Sequence, residues 1–199
     1  DTEAQERMKI QKGTSYAYKI ISNGAHVSAC PNHQLKRMTP LNTRFNVACF
    51  GAFGYEMDLS KLSKEETEEI KQQLIFLIQY RHLIQYGTFY RLVSPFAGNT
   101  MAWMVVSSDQ KHAIVGYYKI LQSVMAPFQR LYLQGLDTDK KYRINASKEG
   151  LYGDELMSCG MVVSDASCGE NEEVYNGRNG DFQSRLYVLE SEDESDEKI

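Results

Sequence analysis

The stretch from Ser63 to Gly87 constrains the fold most, because it carries helix signals at both ends. Ser63 can cap the N-terminus while Glu66 reaches back to it, which is the capping-box pattern. Gly87 follows the last turn, where a glycine can adopt a left-handed conformation and end a helix. Apolar residues recur at three- and four-residue steps and predict one buried face. These residues are Ile70, Leu74, Leu77, Ile78 and Ile84.

The chain before this helix is predicted to form a short helix and buried strands. Thr2 to Gln11 is expected to be an amphipathic helix with Met8 and Ile10 facing inward. Thr14 to Ile21 is rich in aromatic and β-branched residues, which favours a strand. Phe45 to Phe53 is an unbroken apolar run, as in a parallel strand buried on both faces. Together with the long helix, these strands indicate the end of a series of βα repeats.

Two kinds of candidate site residue lie in the loops of this part. His26 and His33 lie in the Gly-, Asn- and Pro-containing stretch of residues 22–34, where a sugar or proton contact is one interpretation. The alternative is that each imidazole bonds backbone carbonyls of a tight loop. Glu56 and Asp58 follow a predicted strand and could be catalytic carboxylates, or they could simply lead into the helix.

After Gly87 the pattern changes to short strands separated by turn residues, which predicts an antiparallel sandwich. Trp103, Tyr117 and Tyr118 are candidates either for a carbohydrate-stacking platform or for core packing. Residues 164–179 are polar and are expected to be an excursion between strands, and residues 190–199 an acidic disordered tail. The predicted strands are Thr88 to Leu92, Trp103 to Ser107, Ala113 to Leu121, Arg130 to Leu133, Lys141 to Ala146 and Phe182 to Leu189.

Composition narrows the class of partner. The formal charge of −4 gives no basic surface for nucleic acid or an anionic membrane, and no apolar run is long enough to span a bilayer. The cysteines show no CxxC spacing, so we expect no zinc site and reduced thiols, which favour a cytoplasmic location. They are Cys30, Cys49, Cys159 and Cys168. The sequence opens on Asp1 rather than a methionine, and we expect it to be part of a longer polypeptide.

Several long phrases resemble one family in the same order. They are IQKGTSYAYKIISNGAHVSACPNHQ, TPLNTRFNVACFGAFGYEMDLSKLS, RHLIQYGTFYRLVSPF, AWMVVSSDQKHAIVGYY, LQGLDTDKKYRIN, YGDELM and GDFQSRLYVLE. These phrases are similar to the C-terminal third of glycoside hydrolase family 36 α-galactosidases. The resemblance extends to about Glu190.

The resemblance implies an α/β part followed by an all-β part. Residues 1–86 would be the end of a catalytic (β/α)8 barrel, with its seventh strand and loop in residues 14–30 and its eighth strand in residues 45–53. Residues 87–190 would be a C-terminal antiparallel β-sandwich domain, and residues 191–199 the tail. The parent protein is expected to be a homo-oligomer.

The resemblance also implies a reaction, which is retaining hydrolysis of terminal α-galactosyl residues from melibiose- and raffinose-type oligosaccharides. Retention uses a nucleophilic carboxylate and an acid/base carboxyl, with no metal or organic cofactor. The nucleophile would precede residue 1, and alignment on Thr2, Ala4, Glu6 and Arg7 puts the acid/base immediately before Asp1. A slip of one residue would make Asp1 the acid/base. Glu3 stands where the family usually has Asp.

Two functions therefore remain open. In the first, the chain is part of an α-galactosidase and is inactive alone, because it lacks the nucleophile and most of the barrel. In the second, it is a non-catalytic module that binds sugar or assembles subunits, with exposed aromatic rings around Trp103, Tyr117 and Tyr118.

Overall fold

The computed structural model describes residues 2–122, 129–163 and 180–192. It contains both helix and sheet, and its larger sheet is antiparallel. The predicted excursion at residues 164–179, Cys168, Asp1 and most of the acidic tail lie outside the described residues. The helices are α1 (Ala4–Thr14), α2 (Leu41–Ala48), α3 (Lys64–Tyr86) and α4 (Gly153–Ser158).

Ten strands lie in three sheets among the described residues. Two of them, β1 and β2, form a parallel pair in which Gly24 faces Ala52 and Ser28 faces Glu56. Six antiparallel strands follow in the spatial order β3-β4-β5-β10-β7-β8, and β6 pairs with β9. The strands are β1 (Gly24–Ser28), β2 (Ala52–Glu56), β3 (Thr88–Val93), β4 (Thr100–Val106), β5 (His112–Lys119), β6 (Gln129–Leu131), β7 (Lys141–Ile144), β8 (Gly150–Tyr152), β9 (Met161–Val163) and β10 (Gln183–Ser191).

The long helix α3 confirms its predicted start. The Ser63 side chain accepts from the backbone N–H of Glu66, and the Glu66 carboxylate accepts from the N–H of Ser63. The predicted apolar face is only partly right. Ile70 and Ile84 are buried, but Leu74 and Ile78 are exposed. The buried arc turns toward Gln73, Phe76 and Tyr80, which moves Leu74 and Ile78 to the outer side.

Gly87 ends α3, but not in the expected left-handed conformation. Its φ of −68° and ψ of 165° are extended. A side chain here would meet Val105 Cγ1 at 2.4 Å and the Leu83 carbonyl oxygen at 2.6 Å. Glycine is therefore required by the close approach of β4 rather than by backbone geometry.

The predicted strands before α3 were misplaced. Residues 14–21 contain the end of α1 and the start of a 3₁₀ turn at Ile20–Ser22, and the strand lies further along at β1. The aromatic content there reflects a surface contact, because Tyr16 is exposed and the Arg91 guanidinium lies 4.5 Å from its ring centroid. Ile10 is also half exposed rather than inward, whereas Met8 is fully buried.

The apolar run at residues 45–53 forms the end of α2, a turn and the start of β2. Seven of the eight α2 residues are buried, including Thr43, Arg44 and Asn46, so the helix has no separate solvent-exposed face. Periodicity cannot distinguish such a helix from a buried strand. The expected parallel pairing of two strands in this part is nevertheless confirmed.

The six-stranded sheet is covered on both faces. Met101, Trp103 and Val105 of β4 pack with the helices and the parallel strands of the first part. The alternate residues Ala102, Met104 and Val106 pack with a second cluster that includes β6, β9 and α4. This double burial explains why β4 is a continuous apolar run although it is antiparallel.

Candidate functional site

Buried polar side chains converge where the carboxyl end of β1 meets the start of α1. Glu3 is 2% exposed and accepts from Arg37 Nη1 at 2.7 Å through Oε2. Its other oxygen lies 3.4 Å from the Thr39 hydroxyl, which donates to it. Oε2 also accepts from the backbone N–H of Glu6, so Glu3 caps α1. A carboxylate can remain charged in such a place because a guanidinium and several donors surround it.

Arg44 connects the end of β1 to the loop that follows. Its Nη1 donates to the Ser28 carbonyl oxygen, and its Nε donates to the Thr39 carbonyl oxygen at 3.0 Å. Burial lowers the pKa of Arg44, and Cys30 and the glutamates Glu66 and Glu69 act in the opposite direction. The guanidinium therefore fixes the two ends of the loop of residues 29–40.

The same loop is closed internally by Asn32. Its side-chain oxygen accepts from the N–H groups of Gln34 and Leu35 at 3.0 Å each, and its amide nitrogen donates to the Thr2 hydroxyl at 3.0 Å. Backbone bonds join Asn32 to Lys36 and Arg37. The loop is thus ordered by its own bonds and also holds the residues before α1.

The space enclosed by this network is about 10 Å³, which is too small for a sugar ring. Arg7 lies nearby and is buried. Burial lowers the pKa of Arg7, while the carboxylates of Glu56 and Glu3 oppose that change. The arrangement therefore acts chemically as a packed, charge-balanced support rather than as a pocket.

The predicted loop residues are only partly brought together. His26 lies on β1, about half exposed, with Nδ1 3.8 Å from Glu56 Oε2 on the neighbouring strand. His33 is exposed at the loop surface. Asp58 accepts from the Ser60 N–H at 3.1 Å and caps the 3₁₀ turn Leu59–Lys61, which agrees with the helix-entry interpretation.

The cysteines are dispersed. Cys49 is buried, and burial raises the pKa of its thiol. Cys30 is partly exposed, with its sulfur 3.9 Å from that of Met38, and Cys159 is exposed. All three are free thiols, and Cys30, unlike Cys49, is not a core residue. Within the described ranges no group of three or more His, Cys, Asp or Glu could hold a metal ion.

The aromatic candidates are core residues. Trp103, Tyr117 and Tyr118 are 1%, 7% and 0% exposed, which excludes a stacking platform formed by their rings. The Trp103 indole donates to the Tyr118 hydroxyl at 2.9 Å, and that hydroxyl donates to the Asn46 carbonyl oxygen at 2.6 Å. Burial raises the pKa of Tyr118 well above its usual range. The Trp103 and Tyr118 side chains therefore join the sheet to α2, whereas Tyr117 packs in the cluster on the other face of the sheet.

No pattern in the sequence indicates the roles of Arg37, Arg44 and Asn32. Charged and amide residues in a loop are normally exposed. Only the folded position of the loop buries Asn32 and Arg44 and brings the half-buried Arg37 to Glu3. Within the described part of the chain, no helix is both long and apolar enough to cross a membrane.

Two family sequence models match the chain. The one described as Melibiase matches residues 1–87, and the one described as Glycosyl hydrolase family 36 C-terminal domain matches residues 100–189. The alpha-galactosidase AgaA of Geobacillus stearothermophilus is 49% identical over 164 residues, which cover 82% of this chain and 22% of the relative. The alpha-galactosidase Mel36A of Lactobacillus acidophilus is 38% identical over 187 residues, covering 94% of this chain and 24% of that relative.

A solved structure is similar over nearly the whole chain. It is a variant of the same Geobacillus stearothermophilus alpha-galactosidase in complex with raffinose, and it superposes with a TM-score of 0.87 at 43% identity. The superposition covers 96% of this chain and 25% of that protein. The chain therefore spans about a quarter of the length of the proteins it matches.

Proposed function

Because the chain belongs to glycoside hydrolase family 36, we propose that it is the carboxyl-terminal part of a retaining α-galactosidase. The proposed substrates are terminal α-galactosyl residues of melibiose- and raffinose-type oligosaccharides. The observation that carries this proposal is the TM-score of 0.87 over 96% of the chain to an α-galactosidase that was solved with raffinose.

We further propose that residues 1–86 form the last two repeats of a (β/α)8 barrel and that residues 87–190 form a β-sandwich domain. The parallel β1–β2 pair, with α2 between the strands and α3 after them, supports the barrel assignment. In such barrels the active site lies at the carboxyl ends of the strands. The buried network of Glu3, Arg37 and Arg44 lies at that end of β1.

The proposed chemistry divides the work between this chain and the sequence before it. A retaining glycosidase needs two carboxyl groups about 5–5.5 Å apart, one as nucleophile and one as acid/base. The nucleophile is assigned to the preceding sequence, and the acid/base to the residue before Asp1, with Asp1 as the alternative. The role of this chain is to support the end of the acid/base segment, because Thr2 and Glu3 are fixed by the 29–40 loop.

Activity measurements on two polypeptides test this proposal. We expect a longer polypeptide that contains this chain and the preceding barrel repeats to release galactose from raffinose, with α-galactose as the first product in proton NMR spectra. The 199-residue chain alone should release none, because two repeats leave open strand edges and lack the nucleophile. Release by the chain alone that survives Asp1→Ala would contradict the assignment of both carboxylates.

A further inference from the structure

The residues immediately before α1 are held by one loop. Asn32 donates to the Thr2 hydroxyl at 3.0 Å, and Arg37 donates to the Glu3 carboxylate at 2.7 Å. Asn32 is 5% exposed and Glu3 is 2% exposed, whereas the Arg37 side chain is 28% exposed, so each contact has one partner that is shielded from water. Shielded charge-assisted bonds define a position better than exposed ones, because solvent does not compete for the donors.

The loop that makes these contacts is itself fixed. Asn32 accepts two backbone N–H groups within the loop, and its own N–H donates to the Arg37 carbonyl oxygen at 3.0 Å. Arg44 donates both to Ser28, just before the loop, and to Thr39, near its end, and so holds the two ends of the loop together. A displacement at Thr2 or Glu3 would therefore have to break bonds in the loop as well.

We propose that Arg37 and Asn32 are positioning residues that set the orientation of the acid/base carboxyl through the backbone at Thr2 and Glu3. This proposal rests on the proposed function, because the acid/base is assigned one or two residues before Thr2. Arg37 and Asn32 do not touch the substrate in this account. They act by holding the start of α1, whose first backbone N–H groups Glu3 also caps.

The energetic argument concerns the carboxylate of Glu3. Removing the Arg37 guanidinium takes away the cation that is bonded directly to this buried carboxylate, which is unfavourable even though Arg7 also lies nearby. The start of α1 then moves to bring Glu3 toward water. A displacement of about 1 Å at a catalytic group can reduce a rate by about a hundredfold.

The test compares two α-galactosides with different leaving groups in the longer polypeptide. The glycosidic oxygen of raffinose needs protonation as it leaves, whereas 2,4-dinitrophenolate leaves without a proton. For Arg37→Met we expect kcat/KM for raffinose to fall by about a hundredfold. For 2,4-dinitrophenyl α-galactoside it should change by no more than about threefold, because general-acid help is not needed. The basic limb of the pH dependence of kcat/KM for raffinose should also shift.

The matched control is Arg143→Met. Arg143 lies on β7, outside the network, and donates from Nε to Glu192 at 2.9 Å. The substitution therefore also removes an arginine–glutamate pair, but at a distant position. We expect kcat/KM to be unchanged for both substrates. Arg37→Lys, which keeps the positive charge, should recover part of the raffinose activity.

Thr2→Val provides a second test that leaves every charged group in place. The valine lacks the hydroxyl that accepts from the Asn32 amide nitrogen, while the Asn32 oxygen still accepts from Gln34 and Leu35. We expect the same selective loss on raffinose, at about tenfold. Equal losses on both substrates in the folded variants, or no loss, would overturn the positioning role. If the unaltered polypeptide hydrolyses neither substrate, the proposed function itself fails.

Discussion

The two halves of the molecule differ in what they bury. In the first region, residues 2–86, the described interior contains thirteen polar or charged residues, including Glu3, Arg7, Asn32 and Arg44. In the second region, residues 87–192, the described interior contains only two polar or charged residues, Lys119 and Ser184. The second region is held by a six-stranded sheet with apolar clusters on both faces.

This difference indicates where function resides. Buried polar groups cost free energy unless they are paired, so a fold selected only for stability would exclude them. In the first region the Gln5 and Gln11 amides and the Ser28 hydroxyl are buried with no hydrogen-bond partner among the described residues. Proteins commonly depart from ideal packing at functional sites. This contrast supports the proposal that the first region, rather than the second, borders the active site.

Trp103→Ala should have the largest effect on stability, because this side chain packs between the two regions. The indole ring lies 5.4 Å from Phe50 of the first region and 5.3 Å from Tyr118 of the sheet. We expect the free energy of unfolding to fall by about 3–5 kcal/mol in urea titrations, because a large cavity opens between the regions. Tyr132→Ala, at an exposed ring, is the control. A loss below about 1 kcal/mol would mean that the regions are energetically independent.

Gly87→Ala tests the junction between the regions by steric overlap. The new methyl group would meet Val105 Cγ1 at 2.4 Å and the Leu83 carbonyl oxygen at 2.6 Å. We expect a loss of about 1–3 kcal/mol in thermal or urea unfolding, since β4 or α3 must shift. Gly98→Ala has no atom within 4 Å of the added carbon and should be nearly neutral. Equal effects of the two changes would refute the close-approach explanation.

Tyr118→Phe tests the polar link between the sheet and α2. The hydroxyl accepts from Trp103 and donates to the Asn46 carbonyl oxygen, and both partners would remain buried without it. We expect the unfolding free energy to decrease by about 1–3 kcal/mol. Tyr132→Phe removes an exposed hydroxyl and serves as the control. A Tyr118→Phe protein as stable as the control would contradict this role.

Ser63→Ala should have the smallest effect, because it alters only one end of α3. The capping box would lose the hydroxyl that accepts from Glu66. We expect about 1 kcal/mol of destabilisation, measured by urea unfolding monitored at 222 nm. Lys64→Ala, which leaves the cap in place, should cost much less. A change larger than that of Gly87→Ala would reverse the proposed order.

The same contrast explains how much of the fold the sequence could predict. The strands of the second region were predicted close to their observed positions, because turn residues punctuate them at regular intervals. Two short strands, β8 and β9, and the helix α4 were missed, since each contains six residues or fewer. The capping box located the start of α3 because its signal is local.

In the first region local signals were misleading. The helix α2 is buried almost all round, so Phe45 to Ala48 looked like part of a strand. The site was harder still to predict, because it depends on Arg37 approaching Glu3 across 34 positions of sequence. The resemblance to a family predicts where the acid/base lies, but only the three-dimensional structure shows that the 29–40 loop contacts Thr2 and Glu3.

Hydrogen–deuterium exchange of the longer polypeptide, with and without saturating galactose, tests most directly whether the first region carries the site. We expect galactose to slow exchange in the residues around Thr2 to Arg7 and in the 29–40 loop, and to leave β4 and β5 unchanged. Galactose-dependent protection confined to the second region, for instance in residues 107–112, would contradict the assignment.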